Sequence, residues 1–339
     1  MKLIRLILCK YNFLLIITLS LMFICICTIT FAQTSEKIVL KNGLVSPIEN
    51  PTGRTSVWMA EELEKRTNGQ IELKNFPSST LGNETEMIEG VRMGTVDMVA
   101  AGGSLGAWVE KIRVIDMPYV IDSTEHFKRC FLDPGVVGAK LAEEVLKEAG
   151  LKVMAWYGQG FRITVCRKQP IMKLEDFKGI KIRTSENPLV VSTFRALGAQ
   201  AVPMAFGEVY TSLNTGLIDA MESPPSTIGV NRLCEVAPYI SHTNHFFLIT
   251  ALVISEKKFN SLPSDIQKIL LDVCKESQYY MLSILDEVTQ TGLDLMRALP
   301  TLETWPDLKP WKEAVKPVVK EYSEKYKVMD LVEEIEKQR

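Results

Sequence analysis

Histidine is scarce in this 339-residue chain: there are three, His126, His242 and His245. None lies in an H-E-x-x-H pattern, so the helix-borne zinc site of a metallohydrolase has no basis. The G-x-S-x-G elbow, the phosphate loop and the G-x-G-x-x-G fingerprint are also missing, which removes the usual motifs for a serine hydrolase, a nucleotide-phosphate site and a dinucleotide cofactor. His242 and His245 stand three apart and would share a face if their segment were helical, as two metal ligands do. Beside Phe246 and Phe247 they read instead as turn or edge residues. No cofactor is implied. The formal net charge of −2 gives no electrostatic case for nucleic acid or an anionic membrane surface. A bound anion would have to be held by local arginines.

Hydrophobic residues make up 46% and charged residues 24%, the balance of a globular chain with a substantial core and room for two domains. The one long apolar run is N-terminal. Lys2, Arg5 and Lys10 precede residues 13–31, and Ala32 is a small residue at a plausible cleavage point. This is the layout of a signal peptide over residues 1–32. An uncleaved anchor is the competing reading, because the run is long enough to span a bilayer. The polar Gln33-Thr34-Ser35-Glu36 that follows lacks a basic flank and favours cleavage and export. Cys9, Cys25 and Cys27 leave with that segment, whereas Cys130, Cys166, Cys234 and Cys274 remain, widely spaced and without a C-x-x-C pair. One disulfide is open to them in an oxidising compartment, and four separate buried thiols are the expected state.

The mature chain opens as β-α-β-α-β. Ile38-Val39-Leu40 is a short strand. A helix through Val57, Ala60 and Leu63 stops at Asn68-Gly69, and Ile71 and Leu73 alternate in a strand that Pro77 ends. Asn83 caps a helix with Glu86 three residues on, as in a capping box. Gly94 closes that helix, and residues 96–101 read as a strand. Such a succession implies a mostly parallel sheet. Residues 126–150 are expected to be helical, 153–156 a strand, 189–197 a helix, 201–204 a strand, 206–214 a helix and 217–221 a strand. Gly94-Thr95-Val96-Asp97 and Gly216-Leu217-Ile218-Asp219 repeat one device, a helix closed by Gly and an aliphatic–Asp entry into a strand. The repeat suggests two similar α/β lobes. Residues 246–254 are a buried strand that crosses back to the first lobe. Ser261-Leu262-Pro263-Ser264-Asp265 opens a helix long enough to brace both lobes. A Pro- and Trp-rich stretch, 300–310, precedes a final amphipathic helix.

The candidate chemistry lies midway. In Gly179-Ile180-Lys181-Ile182-Arg183-Thr184-Ser185-Glu186-Asn187-Pro188, Ile180 and Ile182 alternate with Lys181 and Arg183, the period of a half-buried strand. Arg183 falls near its carboxyl end, where open α/β sheets hold ligands. A guanidinium there offers a fork matched to a carboxylate. Arg162, in Gly160-Phe161-Arg162, is the second candidate anchor. On spacing alone both arginines read first as solvated surface charges, and as ligand anchors second. Trp156, Tyr157 and Phe161 interleave with Gln159 and Arg162, and aromatic walls with a few polar groups describe a small-molecule site. Their alternative role is in the core.

Several motifs, in order, carry a family resemblance. They are Phe76-Pro77-Ser78-Ser79 with Leu81-Gly82-Asn83-Glu84, Gly94-Thr95-Val96-Asp97, Met117-Pro118-Tyr119, Gly160-Phe161-Arg162, Asp176 to Arg183, Pro203-Met204-Ala205-Phe206-Gly207-Glu208-Val209-Tyr210, and Ser261-Leu262-Pro263. The chain resembles the solute receptors of TRAP (tripartite ATP-independent periplasmic) transporters, in the C4-dicarboxylate-receptor branch, over about residues 37–325. The resemblance implies a two-lobed periplasmic-binding-protein-like α/β fold. Its first lobe would comprise residues 33–157 and 251–290, its second lobe 158–250, and residues 291–339 a C-terminal helical segment. It implies a periplasmic receptor, not an enzyme, that closes over an organic acid and delivers it to membrane permease subunits. Arg183 takes the position that pairs bidentately with the ligand carboxylate, Arg162 that of a second anion contact and Phe206 that of a pocket wall. Asn42 and Glu84 fall where first-lobe contacts occur in relatives.

Departures from the family pattern bear on the ligand. Glu222-Ser223-Pro224 replaces the usual Glu-Asn-Pro, Val165-Cys166 replaces Thr-Asn, and Gly102 stands where sialic-acid receptors carry glutamate. An amino-sugar acid is therefore not expected. Gly102-Gly103 makes room for the ligand, and Gln159, Asn42 and Ser223 would meet hydroxyls, which points to a uronate or aldonate. A C4-dicarboxylate or 2-oxo acid is the alternative. A secreted α/β hydrolase and a receptor that signals to a sensor protein are the readings from other classes.

Overall fold

The computed structural model describes residues 37–339; the expected signal peptide lies outside them. Among the described residues no helix is long and apolar enough to cross a membrane. Two sheets organise the chain. The first contains β1 (Ile38–Gly43), β2 (Ile71–Phe76), β3 (Met98–Ala101), β4 (Leu151–Phe161) and β10 (Phe247–Ser255), in the order β2-β1-β3-β10-β4. The second contains β5 (Ile163–Cys166), β6 (Lys181–Thr184), β7 (Gln200–Pro203), β8 (Ala220–Ser223), β9 (Tyr239–Ser241) and β11 (Leu302–Thr304), in the order β11-β9-β5-β8-β6-β7. Both sheets are mixed. The β1–β3, β6–β7, β6–β8 and β9–β11 pairs are parallel, and the strands around the crossing, β10 and β5, run antiparallel to their neighbours.

The repeated Gly–aliphatic–Asp device does the same work in each lobe. Gly94 and Gly216 adopt the left-handed conformation that ends a helix, with φ of 85° and 78°, a region glycine enters without a Cβ clash. Asp97 donates its backbone N–H to the carbonyl of Lys41 at 3.0 Å and accepts the Lys41 N–H on its carboxylate at 2.7 Å. Asp219 repeats both bonds with Lys181, at 2.7 and 3.0 Å. Each Asp thereby fixes the register of the neighbouring parallel strand, and Asn42 pairs with Met98 as Ile182 pairs with Ala220.

Two adjacent strands join the lobes. β4 runs eleven residues and passes through Arg162 directly into β5, while Phe246 leads into the returning β10. The Arg162 N–H donates to the Phe246 carbonyl at 2.8 Å, so the two crossing points are tied to each other. Helix α9 (Ser264–Arg297) has 34 residues and is about 50 Å long at 1.5 Å per residue. It packs on α1 (Pro51–Arg66) and β4 of the first lobe and on α7 (Pro225–Val230) of the second. Its approach to α7 is backbone-close: a Cβ on Gly229 would lie 2.5 Å from the Gly292 carbonyl oxygen.

The expected single helix over 126–150 is two, α3 (Thr124–Phe131) and α4 (Val136–Ala149). Pro134 has no N–H to extend the first, and Gly135, at φ 67°, turns the chain into the second. Strand β4 extends five residues past the expected 153–156, so Gly160-Phe161 is strand rather than loop. Within the expected helical 291–339, Leu302–Thr304 is an edge strand of the second sheet. The helices α10 (Lys309–Lys325) and α11 (Met329–Lys337) then fold back. Trp311 of α10 is buried against Phe177, ring centres 5.1 Å apart. The four remaining cysteines are free and buried.

Candidate functional site

Between the lobes lies a cavity of about 140 Å³, lined from the first lobe by residues including Glu84, Gly102, Gly103, Ser104, Asp116 and Thr250, and from the second by Arg183, Phe206, Glu222 and Ser223. Gln159 and Arg162 reach it from the crossing segment. The elements explain the convergence. β6 ends at Thr184, and α5 (Pro188–Ala196) begins at Pro188 with Asn187 as its N-cap. Arg183 thus points out of the sheet just before the chain turns. Asn83 caps α2 (Glu84–Met93) with a full capping box, which fixes Glu84 as its first residue.

Arg183 is 5% exposed, and its two hydrogen bonds, from Nε at 3.1 Å and Nη2 at 2.8 Å, both go to the Met204 carbonyl. Its guanidinium lies 5.7 Å from the centre of the Phe206 ring. Among the described residues no carboxylate pairs with it. Burial draws its pKa down to about 10, against the charge of Glu222. This is a buried cation that touches no carboxylate among the described residues, held in place by a carbonyl and an aromatic face.

Arg162 is in the opposite situation. Its Nε and Nη2 grip both carboxylate oxygens of Glu222, and Nη2 also donates to the Glu222 carbonyl at 3.1 Å. Glu222 is 1% exposed. Burial alone would raise its pKa, yet the charge of Arg162, with hydrogen bonds from His245 and Arg162, brings it down to about 2. Burial keeps His245 below its ordinary value, so the ring is neutral. A carboxylate only accepts, so Nε2–H donates to Glu222 at 3.1 Å and Nδ1 accepts from the Thr243 hydroxyl at 2.8 Å. His242 turns elsewhere, to Glu303 at 2.6 Å and onto the Trp305 ring. The two histidines serve different networks and do not converge.

The first-lobe wall is acidic. Glu84 accepts the Gly102 N–H and the Ser104 hydroxyl, the latter at 3.0 Å, and burial raises its pKa. Asp116 accepts from Asn187 Nδ2 at 2.7 Å. Burial pushes its pKa up to about 6, against the field of Arg162 and the Asn187 hydrogen bond.

Of the eight residues singled out from sequence, six line the cavity: Glu84, Gln159, Arg162, Arg183, Phe206 and Ser223. Gln159 donates Nε2–H to the Thr250 hydroxyl at 3.0 Å. Trp156 does not line it. It is buried against Phe131, ring centres 5.3 Å apart, because β4 continues past it and carries the cavity-facing positions to Gln159 and beyond. Asn42 also lies outside the lining. Its Nδ2 donates to Ser56 at 3.0 Å and Asn75 at 2.9 Å, so the side chain braces β1 against α1 and β2. Arg162 faces the cavity already neutralised by Glu222. The room at Gly103 is taken by the protein itself and not left to a ligand: a Cβ there would lie 1.7 Å from Asp116 Oδ2, whereas at Gly102 it would make ordinary contacts from 3.4 Å.

Sequence reasoning passed over Asp116, Glu222, Ser104 and Thr250. Asp116 directly precedes the Met117-Pro118-Tyr119 motif, and Glu222 directly precedes the chosen Ser223, so both were within one residue of a signal. A groove of about 950 Å³ on the outer side, lined by Trp58, Tyr280 and Leu295 among others, is larger. Its two arginines are paired, Arg54 with Glu287 and Arg232 with Glu235, so it offers no anchor for an anion.

Two lobes joined by paired strands, enclosing a cavity with a buried arginine that has no carboxylate partner among the described residues, fit a solute-binding receptor for an anion. The chain belongs to the family described as bacterial extracellular solute-binding protein, family 7, which matches residues 43–325, and is a receptor of the TRAP type. It is 36% identical over 236 residues to the 2,3-diketo-L-gulonate-binding periplasmic protein YiaO of Escherichia coli, covering 69% of this chain and 71% of that protein. It is 30% identical over 299 residues to the C4-dicarboxylate-binding periplasmic protein DctP of Rhodobacter capsulatus, covering 86% and 88%. A crystal structure of a TRAP periplasmic solute-binding protein from Roseobacter denitrificans with bound L-galactonate superposes with a TM-score of 0.84 at 29% identity, covering 89% of this chain and 99% of that one.

Proposed function

We propose that this protein is a periplasmic receptor, exported by a cleavable signal over residues 1–32, that captures a sugar acid such as a uronate or aldonate. In this reading it performs no catalysis and hands the ligand to TRAP membrane permease subunits. The carrying observation is Arg183, buried and hydrogen-bonded yet without a carboxylate partner. A desolvated cation of that kind is costly unless an anion completes it. The guanidinium donates to the ligand carboxylate and Phe206 packs beneath it. Gln159, Ser223, Thr250 and Glu84 meet hydroxyls. The lobes, 33–157 with 251–290 and 158–250, close about the two crossing strands.

A thermal-shift screen of the mature protein, from Gln33, against organic acids tests the reading. A ligand bound only by the folded form raises the melting temperature according to its concentration over Kd. Shifts with uronates or aldonates are the expected result. Shifts with succinate or malate alone would favour a C4-dicarboxylate receptor, the reading that the Rhodobacter relative supports. Absence of any shift with acids would overturn the arginine argument.

A further inference from the structure

We infer that Asp116 sets the specificity of this site, accepting a ligand hydroxyl and turning away a second carboxylate, so that the receptor takes polyhydroxylated monocarboxylates and rejects their diacid counterparts. The inference rests on the receptor reading above and narrows its substrate class.

Asp116 ends a 3₁₀ turn, Glu110–Asp116, on the first-lobe wall of the cavity. Its Oδ2 accepts from Asn187 Nδ2 across the cleft at 2.7 Å, and its Oδ1 accepts from none of the described residues. Asn187 is held in that orientation. Its Oδ1 accepts from Arg113 Nη1 at 3.1 Å and from the Leu189 N–H at 3.0 Å, so only its NH2 group can face Asp116. Gly103 clears the space that the carboxylate occupies. The position is built, and it leaves one acceptor oxygen to the cavity.

The surrounding charges decide what that oxygen accepts. The groups facing Asp116 are Arg162, Glu84 and Glu222, with Arg113 behind Asn187. Arg162 is already committed to Glu222 through a bidentate pair, and Arg113 does not line the cavity, so among the described residues no cation lining this wall is free to take an incoming anion. A ligand whose carboxylate sits on Arg183 therefore finds an acceptor, and no free cation, at Asp116. A hydroxyl donates to it. A second carboxylate meets Asp116 with like charge, and such juxtapositions discriminate strongly against the wrong partner.

Calorimetric titration at pH 8 tests this with D-gluconate, D- and L-galactonate, D-glucuronate and D-galacturonate against glucarate and galactarate. The wild-type protein should bind its tightest monoacid at least about tenfold better than the corresponding diacid. In Asp116→Asn the amide keeps its oxygen on Asn187 and turns its NH2 group to the ligand, so the preference should shrink about tenfold, chiefly by a gain for the diacid. The wild-type preference is read without any variant, and the melting temperature of Asp116→Asn establishes that it folds. A wild-type protein that binds diacids as well as monoacids would overturn the inference and leave the acid-receptor reading standing. An unchanged preference in folded Asp116→Asn would do the same. No binding of any acid by the wild type would overturn both.

Discussion

The two lobes start alike and part within two residues. In each, an Asp at the end of a Gly-closed helix exchanges backbone and carboxylate hydrogen bonds with a strand lysine, Asp97 with Lys41 and Asp219 with Lys181. Two positions beyond those lysines stand Gly43 and Arg183. A Cβ at Gly43 would lie 2.5 Å from the Met87 sulfur, so the first lobe closes over its strand end with packing. The second lobe keeps a cation there that, among the described residues, has no carboxylate partner. One scaffold device therefore yields a wall in one lobe and, in the other, the buried arginine proposed above as the anchor. The crossing segment adds a third case, since Arg162 is an arginine at the cavity that already holds a protein carboxylate, Glu222.

That contrast sets an order of expected effects. Arg162→Ala should be the most damaging to folding, because it leaves Glu222 buried and unpaired, a loss of about 3–5 kcal/mol; urea unfolding of the unliganded protein measures it. Arg183→Ala should instead cost about 2–5 kcal/mol of ligand binding while leaving unliganded stability unchanged or higher, since no protein carboxylate is orphaned. Arg183→Lys should also bind worse, because an ammonium lacks the fork. If Arg162→Ala and Arg183→Ala fall alike in urea, the distinction between structural and functional arginine fails.

Acidic pH should separate the two walls. Glu222 has its pKa depressed to about 2, so its stabilisation is present above its unfolded value of about 4.3 and is lost as pH falls towards 2. Asp116, raised to about 6, has the opposite sign. The native state takes up its proton first, so stability falls as pH rises from about 3.9 through 6, and the raised Glu84 acts in the same direction. Melting temperature against pH should therefore rise from pH 7 to about 5 and fall below about 4. Asp116→Asn should flatten the upper limb only. The smallest effect belongs to Phe206→Ala, about 0.5–2 kcal/mol of binding from the lost cation–π face, readable by the same titrations.

Much of this was legible because it is local. The Asn83 capping box, the Gly–Asp repeat, Asn187-Pro188 at the start of α5 and the apolar crossing strand all follow from short-range chemistry and reappear in place. What escaped depends on residues far apart in the chain. Nothing near Arg162 in sequence reveals that Glu222, sixty positions on, takes its fork. Nothing near Trp156 shows that β4 runs five residues further and consigns the ring to the core. Asn42 failed for a related reason: its amide is claimed by Ser56 and Asn75 from two other elements. The short strands β9 and β11, three residues each, have too few positions for a period to show.

The paired crossing of β4 and β10 carries a mechanical consequence. A single linker would let the lobes swing about any axis, whereas two strands tied by the Arg162–Phe246 hydrogen bond behave as a leaf hinge, stiff in its own plane and compliant across it. Gly229 and Gly292, in backbone contact, pin the brace helix to one side of that hinge. In the transport role proposed above, closure would follow that one angle, and a permease touching the outer faces of both lobes would gauge occupancy from it without contacting the ligand.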